Sequence, residues 1–460
     1  MCDDNVVYIL GAGFSKAIDE KMPLMDDLGK QCSNIVDNCS YKSGSFEQWM
    51  TIMLQDLPFL DESSNLKRKS EVLNCIDAIA HILDRITNQI QFAITCPLWL
   101  RQFVNLIAAE KACIITFNYD TLLEMAINYE NPIVKTSVNL RRVVADQVVF
   151  PRPFNTITNR VGDFASTTPC KDVMQILKPH GSLNWYWDSG EGGESLLYRL
   201  RERRVYNDRL NLFLDEVEEM RGMRRFIIPP TGDKTRYYGQ GLDRRIWKEA
   251  GKALSEASRL VVIGYSFPET DYVVNELIKQ KSGNIGYASV VDPYPERICE
   301  KINKYLANAH IDSIGGTECV SEYVFNSIVQ RGREVLAKLK TDSRILDVSS
   351  VAISTKDNCL SGAPPDVNRG IDIIEGEIVF CLYPTRALTC QHAQETEVQS
   401  KSFSGIDMSR YLLQSYSGDY LIMTNNNAPD EKYIMIDYFI QESGREHVLI
   451  LETAPLKLKN

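Results

Sequence analysis

The fold turns on Val6-Val7-Tyr8-Ile9-Leu10-Gly11-Ala12-Gly13-Phe14-Ser15, an apolar β-run that empties into Gly-x-Gly and a hydroxyl residue able to start a helix. Such a turn brings backbone N–H groups up to a ligand phosphate, and the N-terminus of the following helix adds partial positive charge. Gly11 and Gly13 leave room for close approach, and Ser15 can cap the helix or bond a phosphate oxygen. The third glycine of the dinucleotide fingerprint is missing, so the segments that follow have to say what the turn is for.

Residues 15–110 read as mostly helical, with an amphipathic helix over 65–92 marked by Val72, Ile76, Ile79, Ile82, Leu83 and Ile86. Pro97 opens a further helix running to Ala109, and an apolar strand, Ala112 to Phe117, leads into a polar turn and a helix from Asn118. Residues 131–175 read as irregular, a long loop or small insertion, before a strand that runs into Lys178-Pro179-His180-Gly181-Ser182. Helices over 241–257, 270–280, 295–307 and 321–340 then alternate with strands over 259–264 and 285–292. This alternation predicts an α/β fold: a Rossmann-like, doubly wound parallel sheet over residues 1–341, with a helical insertion at about 19–110. From residue 342 helical periodicity fades, and short β-rich runs appear at 374–382, 420–424, 432–439 and 447–452. Residues 342–460 are therefore expected to form a smaller β-rich C-terminal domain.

With 51 basic and 61 acidic residues the formal charge is −10, which argues against a surface tuned throughout to nucleic acid. The arginines at 201, 203, 204, 221, 224 and 225 alternate with Glu202, Asp208, Asp215, Glu216, Glu218 and Glu219, the pattern of a solvated helix face. Nucleic acid is expected only indirectly, if at all. The twelve cysteines are scattered and form no Cys-x-x-Cys pair, which predicts reduced thiols and neither a zinc ribbon nor a disulfide framework. No apolar run is long enough for a membrane span, and Met1-Cys2-Asp3-Asp4 is unlike a signal peptide, so a cytoplasmic protein without a membrane partner is expected.

In an open α/β sheet, ligands bind outside the carboxyl ends of the strands. The strand ends here are Gly11-Ala12-Gly13-Phe14-Ser15, Thr116-Phe117-Asn118-Tyr119-Asp120, Gly264-Tyr265-Ser266-Phe267-Pro268 and Val291-Asp292-Pro293, with His180-Gly181-Ser182 beside them. Each ends an apolar run with groups able to bond a sugar or a phosphate, and Asp292 is placed to accept from ribose hydroxyls. The set fits a dinucleotide.

In their order and spacing, Gly-Ala-Gly-x-Ser at 11–15, Thr-x-Asn-x-Asp at 116–120, His-Gly at 180–181, Gly-x-Ser at 264–266 and Asp292 resemble the sirtuin family over roughly residues 5–340. Asn-Tyr-Asp at 118–120, His-Gly-Ser-Leu-Asn-Trp at 180–185 and Gly-Tyr-Ser-Phe-x-x-x-Asp at 264–271 are closer still to the sirtuin-like domains of bacterial anti-phage defence proteins. That resemblance implies hydrolysis of NAD⁺ in place of lysine deacylation. Two departures from the deacylases point the same way. Their zinc-binding cysteine pairs have no counterpart, and Ala17-Ile18-Asp19-Glu20-Lys21-Met22-Pro23-Leu24-Met25 stands where they carry an arginine-bearing loop.

The resemblance implies Asn118, His180 and Asp120 as catalytic residues: Asn118 on the ribose and water, Asp120 on the nicotinamide side, and His180, titrating near neutrality, as the base. It implies Gly11, Gly13 and Ser15 around the pyrophosphate, Gly264, Ser266 and Asp292 around the adenosine half, and Ala12, Phe14 and Thr116 as further cofactor-binding residues. NAD⁺ is then the substrate, and no metal is implied. Domains of this kind are held in check by oligomer geometry, an appended sensor or a partner. A homo-oligomer or a complex with another defence protein is accordingly expected, with 342–460 as the module for assembly, docking or sensing.

Plain structural readings stand beside these roles. Gly11-Ala12-Gly13 could be a tight strand–helix turn, Asn118 an N-cap, Asp120 a partner of a helix dipole, and His180 a hydrogen-bonded residue before a glycine turn. Ser266 could satisfy a loop carbonyl, Asp292 could form a turn, and Trp185 and Trp187 read as packing. A non-catalytic nucleotide sensor and an NAD-dependent deacylase are the alternative functions.

Overall fold

A computed structural model describes residues 5–90, 92, 96–135, 140–151, 173–188, 196–200, 222–232, 234 and 241–344, with strand segments between 350 and 456. The strands up to residue 314 are β1 (Val6–Leu10), β2 (Cys113–Thr116), β3 (Ile133–Lys135), β4 (Leu140–Arg142), β5 (Val149–Phe150), β6 (Gln175–Leu177), β7 (Gly181–Asp188), β8 (Leu196–Arg199), β9 (Arg224–Ile227), β10 (Arg259–Ile263), β11 (Tyr287–Val291) and β12 (His310–Ile314). The helices are α1 (Ala12–Ile18), α2 (Met25–Ile35), α3 (Phe46–Leu54), α4 (Glu62–Gln89), α5 (Leu98–Ala109), α6 (Leu122–Glu130), α7 (Ala145–Val148), α8 (Gly241–Glu256), α9 (Tyr272–Lys281), α10 (Glu296–Tyr305) and α11 (Cys319–Thr341).

Seven strands form one sheet in the order β12-β11-β10-β1-β2-β6-β5, and every neighbouring pair is parallel. This is the Rossmann-like sheet that strand–helix alternation predicts. β1 is buried along its whole length, as a central parallel strand covered on both faces must be, which is why its sequence is an unbroken apolar run. The chain moves from β1 to β2 on one side and returns to β10 on the other, so the sheet reverses direction next to β1. A crevice opens at such a reversal, outside the carboxyl ends of the strands.

One strand lies where the sequence reading placed no element, and one segment is corrected. β12, with the sequence His310-Ile311-Asp312-Ser313-Ile314, is an edge strand with no fully buried residue, so it lacks the apolar run that marks its neighbours. Residues 131–175 are not simply irregular: they contain the β3–β4 pair, α7 and the β5 strand of the main sheet, while β6 is the strand expected before Lys178. Short strands of two or three residues leave no periodicity to read.

The chain divides into two compact units. The first comprises 1–96, 110–129 and 144–320, and holds the parallel sheet, α1–α4 and a smaller antiparallel sheet, β8-β7-β9. α4 matches the amphipathic helix expected over 65–92, and its buried positions include Val72, Ile79, Ile82, Leu83 and Ile86. Trp185 stacks on Phe226 at 6.3 Å and Trp187 meets the same ring edge-on at 6.1 Å, so both are packing residues.

The second unit comprises 97–109, 130–143 and 321–460. Its sheet runs β13-β20-β19-β18-β17-β16, from β13 (Ser350–Ser354), β16 (Glu395–Glu397), β17 (Tyr411–Tyr416), β18 (Tyr420–Asn425), β19 (Ala428–Ser443) and β20 (Glu446–Leu456). Among the described strands, β14 (Val367–Ile374) pairs only with β15 (Glu377–Pro384). The core joins Tyr420, Ile422, Ile434, Ile436, Ala454 and Leu456 of the sheet to Leu106 and Ala109 of α5 and Ile328 of α11. Gln102 of α5 donates to the Pro455 carbonyl at 2.9 Å, and Arg331 of α11 donates to that of Ile436 at 2.8 Å. The β-rich C-terminal chain thus builds its core with two helices drawn from earlier sequence. Among the described residues, no helix is long and apolar enough to cross a membrane.

Candidate active site

The turn after β1 packs backbone to backbone against the turn after β10. A Cβ added at Gly13 would lie 2.7 Å from Gly264 Cα, and one added at Gly11 would lie 2.5 Å from Gly264 O. Gly264 holds φ at +61°, where a side chain would be strained in any case. The Gly11 amide donates to Ile263 O at 3.1 Å and the Gly13 amide to Gly264 O at 3.0 Å. These two N–H groups therefore tie the strand ends together instead of facing a phosphate, as the motif alone suggests. Phe14 is buried and Ala12 is exposed.

Ser15 does not cap α1, whose N-cap is Gly11; it sits buried inside the helix and donates from Oγ to Asp120 Oδ2 at 2.7 Å. The same oxygen accepts from Asn118 Nδ2 at 2.9 Å, and Nδ2 also donates to Gly11 O at 2.8 Å. The Asn118 amide donates to Thr116 Oγ1 at 3.2 Å. Asn118, Ser15 and Asp120 thus form one directed chain joining the ends of β1 and β2. It spends both Nδ2 hydrogens of half-buried Asn118 on the protein and turns Oδ1 into an oriented acceptor.

Asp120 also accepts from the Leu122 amide at 3.1 Å, a bond at the start of α6. Burial pushes its carboxyl up, opposed by the nearby Lys178 ammonium and the Ser15 hydrogen bond. Lys178, itself buried, donates to Asp120 O at 2.6 Å and to Glu124 Oε1 at 2.9 Å. The Leu183 amide donates to Tyr119 O at 2.8 Å. These bonds fasten the 118–120 turn to the turn that carries His180.

His180 is buried, with its ring centroid 4.9 Å from that of Phe117 and 6.3 Å from that of Trp247. Its Nε2 accepts from Lys234 Nζ at 3.3 Å, because an ammonium can only donate, and this assigns the proton of the neutral ring to Nδ1. Lys234 also pairs with Asp271 Oδ1, and Tyr265 OH donates to Asp271 Oδ2 at 2.7 Å. Burial alone would raise the Asp271 carboxyl; the His180 ring, the Lys234 ammonium and the Tyr265 hydroxyl outweigh it and hold the carboxyl below its ordinary value.

The expectation that His180 titrates near neutrality is corrected. Burial, reinforced by the Lys234 charge, lowers it from 6.5 to about 3 against the pull of Asp271. The ring is neutral throughout the physiological range. Between pH 6.5 and about 3 the unfolded chain binds a proton at this residue that the folded chain refuses, so stability falls as pH falls. The slope from this one group is about 1.4 kcal/mol per pH unit. Urea unfolding of the wild type and of His180→Gln at pH 7 and pH 5 checks it: the variant loses less stability between the two.

Ser266 and Asp292 are not tied into this network. Ser266 is exposed, and its carbonyl accepts from Lys301 at 3.5 Å. Asp292 accepts from the Tyr294 amide at 2.9 Å as a turn residue, half-buried at the carboxyl end of β11, with its carboxyl raised by burial. In the basic stretch, Arg201, Arg203, Arg204 and Arg221 lie outside the described residues; Arg224 is exposed, and Arg225 pairs with Asp84 at 3.2 Å. Among the described residues no group of three or more His, Cys, Asp or Glu side chains converges as a metal site.

Three comparisons bear on this arrangement. Residues 112–314 match the family model of the SIR2-like domain. The match runs from the residue before β2 to the end of β12, so it contains Asn118, Asp120, His180, Lys234 and Asp271, while β1 and the 11–15 turn precede it. No curated protein matches the chain in sequence. Among solved structures, a triple mutant of Sir2 homologues in complex with 2′-O-acetyl ADP ribose is 14% identical with a TM-score of 0.35, over 70% of this chain and 91% of that one. A Sir2 homolog–NAD complex is 14% identical with a TM-score of 0.35, over 70% and 89%. The parallel strand order, not these scores, defines the fold.

Proposed function

We propose that this chain is an NAD⁺ glycohydrolase, cleaving NAD⁺ to nicotinamide and ADP-ribose as an effector that depletes the dinucleotide in anti-phage defence. The observation that carries the reading is the Asn118–Ser15–Asp120 chain at the sheet reversal, beside a neutral, buried His180 and within a SIR2-like domain match. Breaking the glycosidic bond puts positive charge on the ribose while a neutral nicotinamide departs. The Asn118 carbonyl oxygen holds a ribose hydroxyl or the attacking water, and the buried Asp120 carboxyl bears on the developing charge through the turn it fixes. His180 receives the proton given up by that hydroxyl or water. Gly264, Ser266 and Asp292 line the adenosine side, and the 11–15 turn meets the pyrophosphate with those of its groups that Ile263 and Gly264 do not occupy.

One observation favours a second reading, a module that binds the dinucleotide without cleaving it: the basic nitrogen of His180 already accepts from Lys234. Deacylation is the third. Nicotinamide release from NAD⁺, measured with and without an acyl-lysine peptide, separates them. The hydrolase releases nicotinamide without peptide; strict dependence on peptide contradicts hydrolysis in favour of deacylation, and tight binding with no release contradicts it in favour of sensing.

Uncontrolled hydrolysis would kill the host cell, so we assign control to oligomerisation, a partner or a ligand acting through the β-rich 342–460 segment. Cutting the chain at 342 would strip Leu106, Ala109 and Ile328 of their packing partners, so deletion is a poor test. Light scattering of the full chain is the better one. A monomer whose mass and activity are the same with and without infected-cell lysate contradicts this assignment.

A further inference from the structure

The site contains a buried ion pair that the chemistry above leaves unused. Lys234 and Asp271 are 3% and 6% exposed, on segments that share no element with each other or with His180. Removing two charges from water is costly and is recovered only with good partners. Here the partners are specific: Lys234 donates to Asp271 and to His180 Nε2, and Tyr265 donates to the other Asp271 oxygen. A salt bridge serving stability alone has no reason to direct a second hydrogen at an imidazole.

We propose that Lys234 is the positioning residue of His180, held in place by Asp271 and Tyr265 so that it fixes the imidazole as the Nδ1–H tautomer with Nε2 as the proton acceptor. The inference rests on the hydrolase reading for its consequence, though not for its geometry. A nitrogen that faces an ammonium must present its lone pair, so the ring is set in the one tautomer whose Nε2 can take a proton. When the attacking water enters, it exchanges with the ammonium, which stays on Asp271. The O–H proton moves to Nε2, the glycosidic electron pair leaves with nicotinamide, and the oxygen of water bonds to the ribose carbon; the imidazolium then passes its proton to solvent. Nε2 of the His180 imidazolium formed in that step is 3.8 Å from Asp271 Oδ1, a carboxylate it then shares with Lys234.

The charged groups facing the imidazole are Lys234, from the segment after β9, and Asp271, from the β10–α9 connection. Behind them stand the Tyr265 hydroxyl, from the same connection, and half-buried Glu47 of α3, which acts on both members of the pair. The Phe117 and Trp247 rings that flank His180 carry no charge. Lys234→Met removes the cation while leaving Asp271, so His180 rises from about 3 toward 6.5; Lys234→Arg keeps the cation and keeps the value low.

The test is nitrogen-detected NMR of full-length protein labelled at histidine, with the His180 signal among five histidines identified by its loss in His180→Gln. The wild type should show a neutral Nδ1–H imidazole that persists at pH 5, Lys234→Met should titrate at higher pH with mixed tautomers, and Lys234→Arg should restore the wild-type pattern. An Nε2–H tautomer or an ordinary titration in the wild type overturns the proposal without any variant, as does a folded Lys234→Met with an unchanged signal. In parallel, the acid limb of the nicotinamide-release profile should move to higher pH in Lys234→Met and return in Lys234→Arg. If the wild type releases no nicotinamide, the hydrolase reading fails while the NMR result still decides the role of Lys234.

Discussion

Gly264→Ala should leave almost no folded protein. The new Cβ would sit 2.4 Å from Phe14 N, 2.5 Å from Gly13 C and 2.6 Å from Gly13 Cα, all backbone atoms that cannot step aside as a side-chain end can. The position also holds φ at +61°, so strain adds to the clash. Relief would require separating the β1 and β10 turns and breaking the Gly11–Ile263 and Gly13–Gly264 hydrogen bonds. The expected loss exceeds about 4 kcal/mol, a large part of the stability of an ordinary domain. Gly283→Ala is the control: nothing lies within 4 Å of its new methyl, and its unfolding midpoint should move little. Urea unfolding of both variants checks the pair, and a Gly264→Ala protein as stable as the wild type would show that the two turns do not pack as described.

The second large effect is on turnover. Asn118→Ala should lower nicotinamide release on the order of a thousandfold, the scale seen when one fixed polar group is removed from a charge-developing centre. The fold should survive, because the two lost Nδ2 donations, to Gly11 O and Ser15 Oγ, are worth about 1–3 kcal/mol together. Asn118→Asp separates the roles further. It keeps the side-chain shape and an acceptor, but sets a carboxylate oxygen against Gly11 O and against a Ser15 hydroxyl already committed to Asp120. Both variants should therefore lose turnover, and a rate within tenfold of the wild type in either would remove Asn118 from the chemistry.

Most of the sheet was legible because parallel strands buried on both faces leave apolar runs, and these runs end in the glycines and polar residues that define the crevice. What escaped has identifiable causes. β12 is an exposed edge, and β5 spans only Val149–Phe150. α5 reads as a helix opened by Pro97, but nothing in its sequence says that Leu106 and Ala109 meet a sheet formed about three hundred residues later. The Gly11 and Gly13 amides could be read as near a crevice, yet not as already bonded, since that depends on where the β10 turn stops. Lys234 was hidden more deeply. It lies in a stretch whose many charges read as solvated, and only the return of the chain through β7 and β9 brings it to His180. Asp271 could be seen at the end of Gly-Tyr-Ser-Phe-x-x-x-Asp, but its partner could not. The low titration of His180 follows from burial, reinforced by that hidden lysine, and neither can be read from the residue type alone.

The central claim is that the crevice at the sheet reversal binds NAD⁺ and cuts it at the nicotinamide bond. The most direct measurement follows NAD⁺ binding by calorimetry and nicotinamide release by chromatography on the same preparation of the full chain, with and without lysate from phage-infected cells. The account predicts binding in both conditions and release of nicotinamide in at least one. Binding with no release in either condition, or no binding at all, would contradict it.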